Sequence, residues 1–526
     1  MKNALFAAVA ALSVTAMTPV QAVERGGTLT FARYDDSTLI DPIYADRNPD
    51  IWMVSNLYDT LLRTEADGKT VIPGLASSYS LSEDGLELKM TLREGIQFSD
   101  GTAIEAQDVI FSLERARNPD LGPWSGLLGS VENVTAEGRD ITITLKNPDP
   151  TIVLMLATFN TAIVSKDAFD AAAGATDQEK AQALSTASPV GSGPFVLTDH
   201  QRGASMNFVA NKHYWRQGED GQPLPYLDAI DFLVIPDDAT RILKLQAGEV
   251  DAAEFIPFAR VAELKDDANI NMELFPSTRI IYSPINTREK TANGENNILA
   301  SKEARQALNY ATNKEALIQL ILHGAGKPMT SGLMASTTQL ATGTEPLYQY
   351  DLDKAKALAA KAGIQPGTEI SLTTLAGSAD DAIIFTALQQ MWSQIGIKLS
   401  VEQVDGATRG AKNRSGEFDI HTYGWVNDVN DPAQVAGWLG YYPTRKAVGT
   451  DWNNAEFNSL YEASNKEINQ EKRAEQYAKM QTLYAEEAPL IFMYETPFAV
   501  ALGNRVQGYI QTPLGSNEFS STWIDQ

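Results

Sequence analysis

The chain has 526 residues, 43% of them hydrophobic, and no cysteine. Its 67 acidic and 42 basic side chains give a formal net charge of −25, a balance that repels phosphate backbones and argues against nucleic acid as a partner. Lack of cysteine excludes disulfides, thiolate metal sites and a lipidated cysteine anchor, while the length exceeds the ~250–300 residues at which a single core stops growing.

The first 22 residues read as a cleavable export leader. Lys2 supplies the charge, Leu5 to Ala16 the apolar run, and Val20-Gln21-Ala22 the small-residue cleavage site. That run is too short for a membrane-crossing helix, which needs roughly 20 residues, and no later stretch qualifies. Thr28–Arg33 reads as the first strand, with Tyr34 just beyond it. From Pro73 to Ala116 the chain runs PGLASSYSLSEDGLELKMTLREGIQFSDGTAIEAQDVIFSLERA. Leu86, Leu88, Met90 and Leu92 alternate with polar residues as a half-buried strand. Asp84-Gly85 and Asp100-Gly101 are turn dipeptides, and Asp108 is placed to cap a helix carrying Val109, Ile110, Phe111 and Leu113. Another alternating strand lies within Val134–Leu145, and Pro189–Phe195 (PVGSGPF) is a tight Gly/Pro crossing.

In the later half, Ala304, Ala307, Leu308 and Ala311 keep helical spacing, and Thr312–Glu315 reads as a capping box for the next helix, ended by Gly324. Ala355, Leu358, Ala359 and Ala362 form a helix stopped at Gly363. A short strand at Ile370 and Leu372 precedes a helical face of Ile384, Leu388, Met391, Trp392 and Ile395. Ile397, Leu399 and Val401 then alternate as a strand. This βαβ unit predicts a mostly parallel sheet. Phe418–Thr422 reads as a strand, and Leu490–Tyr494, continuously apolar, as a buried central one. No internal repeat or low-complexity linker marks a domain boundary.

The block from Pro73 to Ala116 resembles the solute-binding proteins of the dipeptide/oligopeptide/nickel class of ABC importers (family 5, cluster C). So do PVGSGPF, Asn211–Trp215 (NKHYW), Pro225–Asp228 (PYLD), Ile235–Arg241 (IPDDATR) and Leu245–Ala252 (LQAGEVDA), in that order. The resemblance implies an α/β fold, a two-lobed periplasmic binding protein of type II with an extra subdomain and the ligand enclosed between the lobes. It assigns residues 23–50, 187–276 and 496–526 to lobe I, 51–186 to its extra subdomain, and 277–495 to lobe II. It also implies export to the periplasm as a monomer, with a small-molecule or short-peptide ligand and a permease in the inner membrane as partners.

No enzymatic constellation stands out. His200, His213, His323 and His421 are scattered, Gly191-Ser192-Gly193 lacks a residue of the GxSxG elbow, and Pro328 follows Gly324-Ala325-Gly326-Lys327 where a phosphate loop needs Ser or Thr. Asp428, Asn430 and Asp431 hint at calcium, but Pro432 occupies a ligand position. No cofactor and no metal are called for.

The candidate site is Tyr423–Pro432, at the carboxyl end of a strand, where α/β sheets bind ligands. Asp431-Pro432 reads as a helix cap followed by Pro at the first helical position. Asp428 has no such local duty. By resemblance it stands three residues after Trp425, where peptide-binding relatives pair an aspartate with the ligand's α-ammonium. A buried ammonium is costly unless paired, so a cleft carboxylate selects amines. The dipeptide-binding branch also places an arginine for the peptide carboxylate just after the strand matching Ile370–Leu375. Here Ala376–Asp381 contains none, so that either Arg409, Arg414 or Arg445 substitutes or the ligand lacks a C-terminal carboxylate at that spot. Tyr34, Trp52, Trp438, Tyr441 and Tyr442 are aromatic candidates for the wall.

The expected ligand-binding set is Asp428, Trp425, Asn427, Tyr34, Trp438 and Tyr441. The expected function is capture of small peptides or peptide-like solutes for an ABC importer, by binding and not catalysis. An opine, an oligosaccharide (using Trp438, Tyr441 and Asn427) or a metal chelate is the alternative cargo. An exported hydrolase or a chaperone-like peptide binder is the alternative class.

Overall fold

A computed structural model describes residues 23–186, 189–291, 293–443 and 449–525. The expected leader, 1–22, and Arg445 lie outside the described residues. The fold is α/β and two-lobed.

Lobe I is built on a seven-stranded sheet ordered Ile270–Phe275, Phe498–Gly503, Ala252–Ala253, Thr28–Arg33, Ala229–Val234, Ser205–Ala210, Phe195–Gln201. Thr28–Arg33 runs parallel to both neighbours, and the sheet's other pairings are antiparallel. Leu29 and Phe31 are fully buried, and Phe31 meets Phe232 and Phe519 edge-to-face at 5.8 and 5.3 Å, the arrangement the ring quadrupoles favour. The C-terminal strand Phe498–Gly503 returns to this sheet after the whole of lobe II has been threaded.

An antiparallel sheet of Ala76–Leu81, Glu87–Leu92, Asp140–Leu145 and Val131–Glu137 has its own core, covered by helix Ala106–Arg117. Helix Asn48–Leu57 packs instead into the lobe I core through Trp52, Met53 and Val54. The cap of Ala106–Arg117 is Glu105, not Asp108. Asp108 sits one turn in and accepts the Glu105 N–H at 3.0 Å and the Lys166 N–H at 2.9 Å, completing a reciprocal box.

Lobe II holds the βαβ unit as predicted: Thr368–Leu375 and Ile397–Val404 pair in parallel around helix Ala379–Ser393. Leu490–Glu495, buried at every residue, lies between Lys327–Pro328 and Ile280–Pro284, with Tyr423–Trp425 on the far edge. The strand expected at Phe418–Thr422 is divided. Ile420–His421 joins the parallel sheet and Tyr423–Trp425 the antiparallel one. Thr422, at the break, is pinned by its N–H to Thr373 O (3.1 Å) and its hydroxyl to Asp381 (2.6 Å). The expected Thr312 cap is also displaced: Asn313 caps helix Lys314–Leu322. Thr312 is occupied with Leu308 O (2.7 Å) and the Trp392 indole (3.0 Å).

Among the described residues, two short connectors join the lobes' sheets, 276–279 and 496–497. The Ser277 hydroxyl donates to Thr496 O, and Thr278 N–H to Pro513 O at 2.8 Å, so both crossings are tied together and to the C-terminal segment.

PVGSGPF is explained by close approach. A Cβ at Gly191 would stand 1.9 Å from Leu57 O, and one at Gly193 2.6 Å from Leu57 C. Gly191→Ala should therefore lower stability by ~1–3 kcal/mol through overpacking. Gly126→Ala, whose Cβ would meet nothing within 4 Å, should be neutral. Urea unfolding of both variants checks this, and an unchanged midpoint for Gly191→Ala would contradict it.

Candidate functional site

The turn after Trp425 is built residue by residue. Ile280 pairs with Trp425 across the sheet edge, which points the chain into the space between the lobes. The Trp425 indole N–H donates to Asn427 Oδ1 at 2.6 Å, and its ring stacks on Trp438 at 4.9 Å. Asn427 is 1% exposed. Its N–H donates to the Thr278 hydroxyl at 3.0 Å, coupling the turn to a lobe connector. Val429 is buried among the apolar residues of the extra subdomain. Asp431 caps helix Pro432–Leu439, as its sequence predicts, and accepts the Ala433 N–H at 2.8 Å. It also takes a two-pronged ion pair from Arg473 at 2.8 and 2.7 Å.

Asp428 is treated differently. Gln434 holds it from both sides, accepting its N–H at 2.9 Å and donating to its Oδ2 at 2.8 Å. No cation forms an ion pair with it among the described residues. Burial pushes its carboxyl up to about 6, the direction expected for a desolvated acid without a counter-ion.

Asp428, Trp425, Trp438 and Tyr34 line one cavity of about 770 Å³ between the lobes, within the size range of small-molecule sites. Tyr34 packs on Phe255 at 4.3 Å, and burial pushes its hydroxyl well up, keeping it a neutral hydrogen-bonding group. Phe255, Phe498 and Trp124 complete the apolar wall, with Asp46 and Arg279 as further charges.

Asn427 and Tyr441 do not line this cavity. Asn427 lies behind the Trp425 indole as its support. The Tyr441 hydroxyl donates to Glu462 at 2.8 Å and its ring stacks on Tyr461 at 4.5 Å. Trp52 is buried in the lobe I core, and the Tyr442 N–H is engaged by Asn458 at 3.1 Å. Arg409 lies over the Tyr423 ring at 5.2 Å and donates to Thr422 O, and Arg414 is exposed. Arg279 was not among the expected residues. It lies in a lobe connector, after Pro276-Ser277-Thr278, where nothing local distinguishes it from a turn residue.

Catalytic readings gain nothing from the geometry. The Ser192 hydroxyl is buried and accepts the Asp59 N–H at 2.8 Å. No cluster of three metal-ligating side chains occurs among the described residues.

A cleft between two lobes, with aromatic walls and an acid that has no counter-ion among the described residues, is the geometry of a binding protein. Residues 70–445 match the model of the bacterial extracellular solute-binding proteins, family 5 (middle region). The chain belongs to that family. Among relatives of this family 5 protein, heme-binding protein A of Haemophilus influenzae is 28% identical, the match covering 89% of this chain and 87% of the relative. The dipeptide-binding protein of Escherichia coli is 26% identical, with 89% of each chain covered. The solved structure of HbpA2 from Haemophilus parasuis superposes with a TM-score of 0.80 at 26% identity, covering 95% of this chain and 100% of that one. As in the family, its activity is binding, not catalysis. No helix among the described residues is long and apolar enough to cross a membrane.

Arg473→Leu would leave Asp431 buried without its partner, and should cost about 3–5 kcal/mol. Urea unfolding measures this. A loss below about 1 kcal/mol would mean that the pair does not hold the turn.

Proposed function

We propose that this family 5 protein captures short peptides or peptide-like solutes bearing a free amine and delivers them to an ABC permease of the inner membrane. The observation that carries this reading is Asp428, a desolvated carboxylate on the cavity wall with no cation paired to it among the described residues. A ligand ammonium would supply the missing charge, converting an unfavourable burial into a charge-assisted hydrogen bond. Trp425 and Trp438 offer flat faces beside it, suited to an apolar side chain or a cation–π contact. Dipeptide-binding relatives support the cargo class.

The same reading includes export through the leader 1–22 to the periplasm, action there as a monomer, and the division into lobe I, extra subdomain and lobe II given by the resemblance. A ligand touching Asp428 from lobe II and Tyr34 from lobe I would favour the closed arrangement to the extent that it binds that state better.

Replacing Asp428 by Asn should weaken binding of Ala-Ala at least about 30-fold, measured by isothermal titration. The unliganded protein should be as stable or more so. A carboxyl held at about 6 when folded, against ~3.9 when unfolded, makes its ionisation a cost above pH 6 that Asn removes. Equal affinity in both proteins would sink the amine anchor. Mass spectrometry and absorbance of co-purifying material distinguish mixed short peptides from a haem or a single non-peptide species.

The pH profile follows from the same group. Ammonium binding needs both the ionised carboxylate and a protonated ligand amine. Affinity should therefore decline above the amine's own pKa of about 8 and fall as pH drops through about 6. Tyr34, Tyr423, Asp46 and Arg279 share the cavity, and the fall should vanish in Asp428→Asn. A profile unchanged by that substitution would assign the titration to another group.

A further inference from the structure

Arg279 lies where two cavities meet. It lines the 770 Å³ space with Asp428 and a second one of about 360 Å³. Its guanidinium makes no ion pair or hydrogen bond among the described residues, although it carries five donors. Two of the nearby acids have partners of their own. Glu254 is ion-paired with Arg33 and accepts the Tyr34 N–H, and Asp381 accepts from Leu375 N–H and the Thr422 hydroxyl. Asp380 faces the same pocket and is felt electrostatically by Arg279, but forms no ion pair with it. A fork-shaped cation left open at a ligand cavity is suited to a planar carboxylate.

The second cavity is mostly apolar. Ile256, Pro257 and Phe258 form its lobe I side, and Leu320, Ile321 and Ile383 its lobe II side. Leu320 is 53% and Ile383 36% exposed, so two aliphatic side chains on separate helices face the same open space. Helix Phe258–Lys265 packs on helix Lys314–Leu322 and closes the back. Phe255, on the partition between the cavities, has φ 52°, a conformation costly for a bulky residue and typical of ligand clamps.

We propose that Arg279 and this apolar pocket form the second anchor of the site, taking the terminal carboxylate of the cargo and the large apolar side chain next to it. Cargo is then a short peptide, or a peptide-like acid, ending in a residue such as Phe, Leu or Trp. This rests on the reading of Asp428 as the amine anchor. It also answers the missing arginine after Thr368–Leu375: the cation comes from the lobe connector instead. A pocket of 360 Å³ has room for an aromatic side chain, and burying ~150 Å² of apolar surface is worth on the order of 100-fold in affinity. Asp380 opposes the bound carboxylate, so it tempers the affinity.

Isothermal titration with Ala-Ala, Ala-Phe, Ala-Phe-amide and N-acetyl-Ala-Phe tests this. Ala-Phe should bind on the order of 100-fold tighter than Ala-Ala, and amidation should cost about 30-fold or more. In Arg279→Gln the penalty for amidation should disappear, and Arg279→Lys should restore part of it. Ile383→Trp, which fills the pocket, should remove the preference of Ala-Phe over Ala-Ala. Asp380→Asn should strengthen Ala-Phe but not its amide. Equal affinity for Ala-Ala and Ala-Phe, or an undiminished penalty for amidation in a folded Arg279→Gln protein, would overturn the second anchor. Acetylation reports on Asp428 alone: unweakened N-acetyl-Ala-Phe would overturn the amine reading while the amide comparison still judged Arg279. Failure of folded protein to bind any of the four would overturn both.

Discussion

Burying a carboxylate costs several kcal/mol unless a cation or several donors compensate it, and one short turn of this protein contains two such groups with opposite fates. Asp431 is compensated three times over, by the helix N-terminus it caps and by both prongs of Arg473. Asp428, three residues earlier, receives one amide donor from Gln434 and no cation. The first arrangement makes the turn rigid, and rigidity allows the second to persist. A flexible turn would swing Asp428 into water and relieve the cost. Held in place, the group keeps that cost, which the proposed ligand ammonium would offset.

The same turn is where the lobes are coupled. Asn427 bonds to the connector residue Thr278, Val429 enters the subdomain core, and Asp428 between them faces the cavity. Connector, site and opposite lobe are therefore in mechanical contact through three consecutive residues. Arg279, next to Thr278, extends the coupling, because the connector that links the lobes also carries a charge into the cavity. In two-lobed proteins that close on a ligand, groups placed on the crossing elements feel closure directly.

Where the signal was local, sequence and structure agree. Periodicity located the βαβ unit in lobe II and the buried strand Leu490–Glu495, and Asp431-Pro432 capped a helix as its chemistry requires. Where a side chain had two uses, the prediction slipped. Asp108 completes a box instead of opening the helix, and Thr312 serves Trp392 and Leu308 and leaves capping to Asn313. The strand expected at Phe418–Thr422 divides because the chain changes sheets at Thr422, a choice made by partners distant in sequence.

At the site, the sequence determined that Trp425 and Asp428 stand at the carboxyl end of a strand and that Asp431, and not Asp428, is spent on a cap. These follow from spacing and from what each side chain can do for its own backbone. Only the tertiary structure decided that Trp438 and Tyr34 face Asp428 while Asn427 and Tyr441 face elsewhere, and that a connector arginine enters the cavity. Which of two faces an aromatic presents, and which residue a lobe crossing leaves in the cleft, depends on packing between segments some 150 to 390 residues apart. No local pattern encodes a contact that exists only once both lobes are folded and joined.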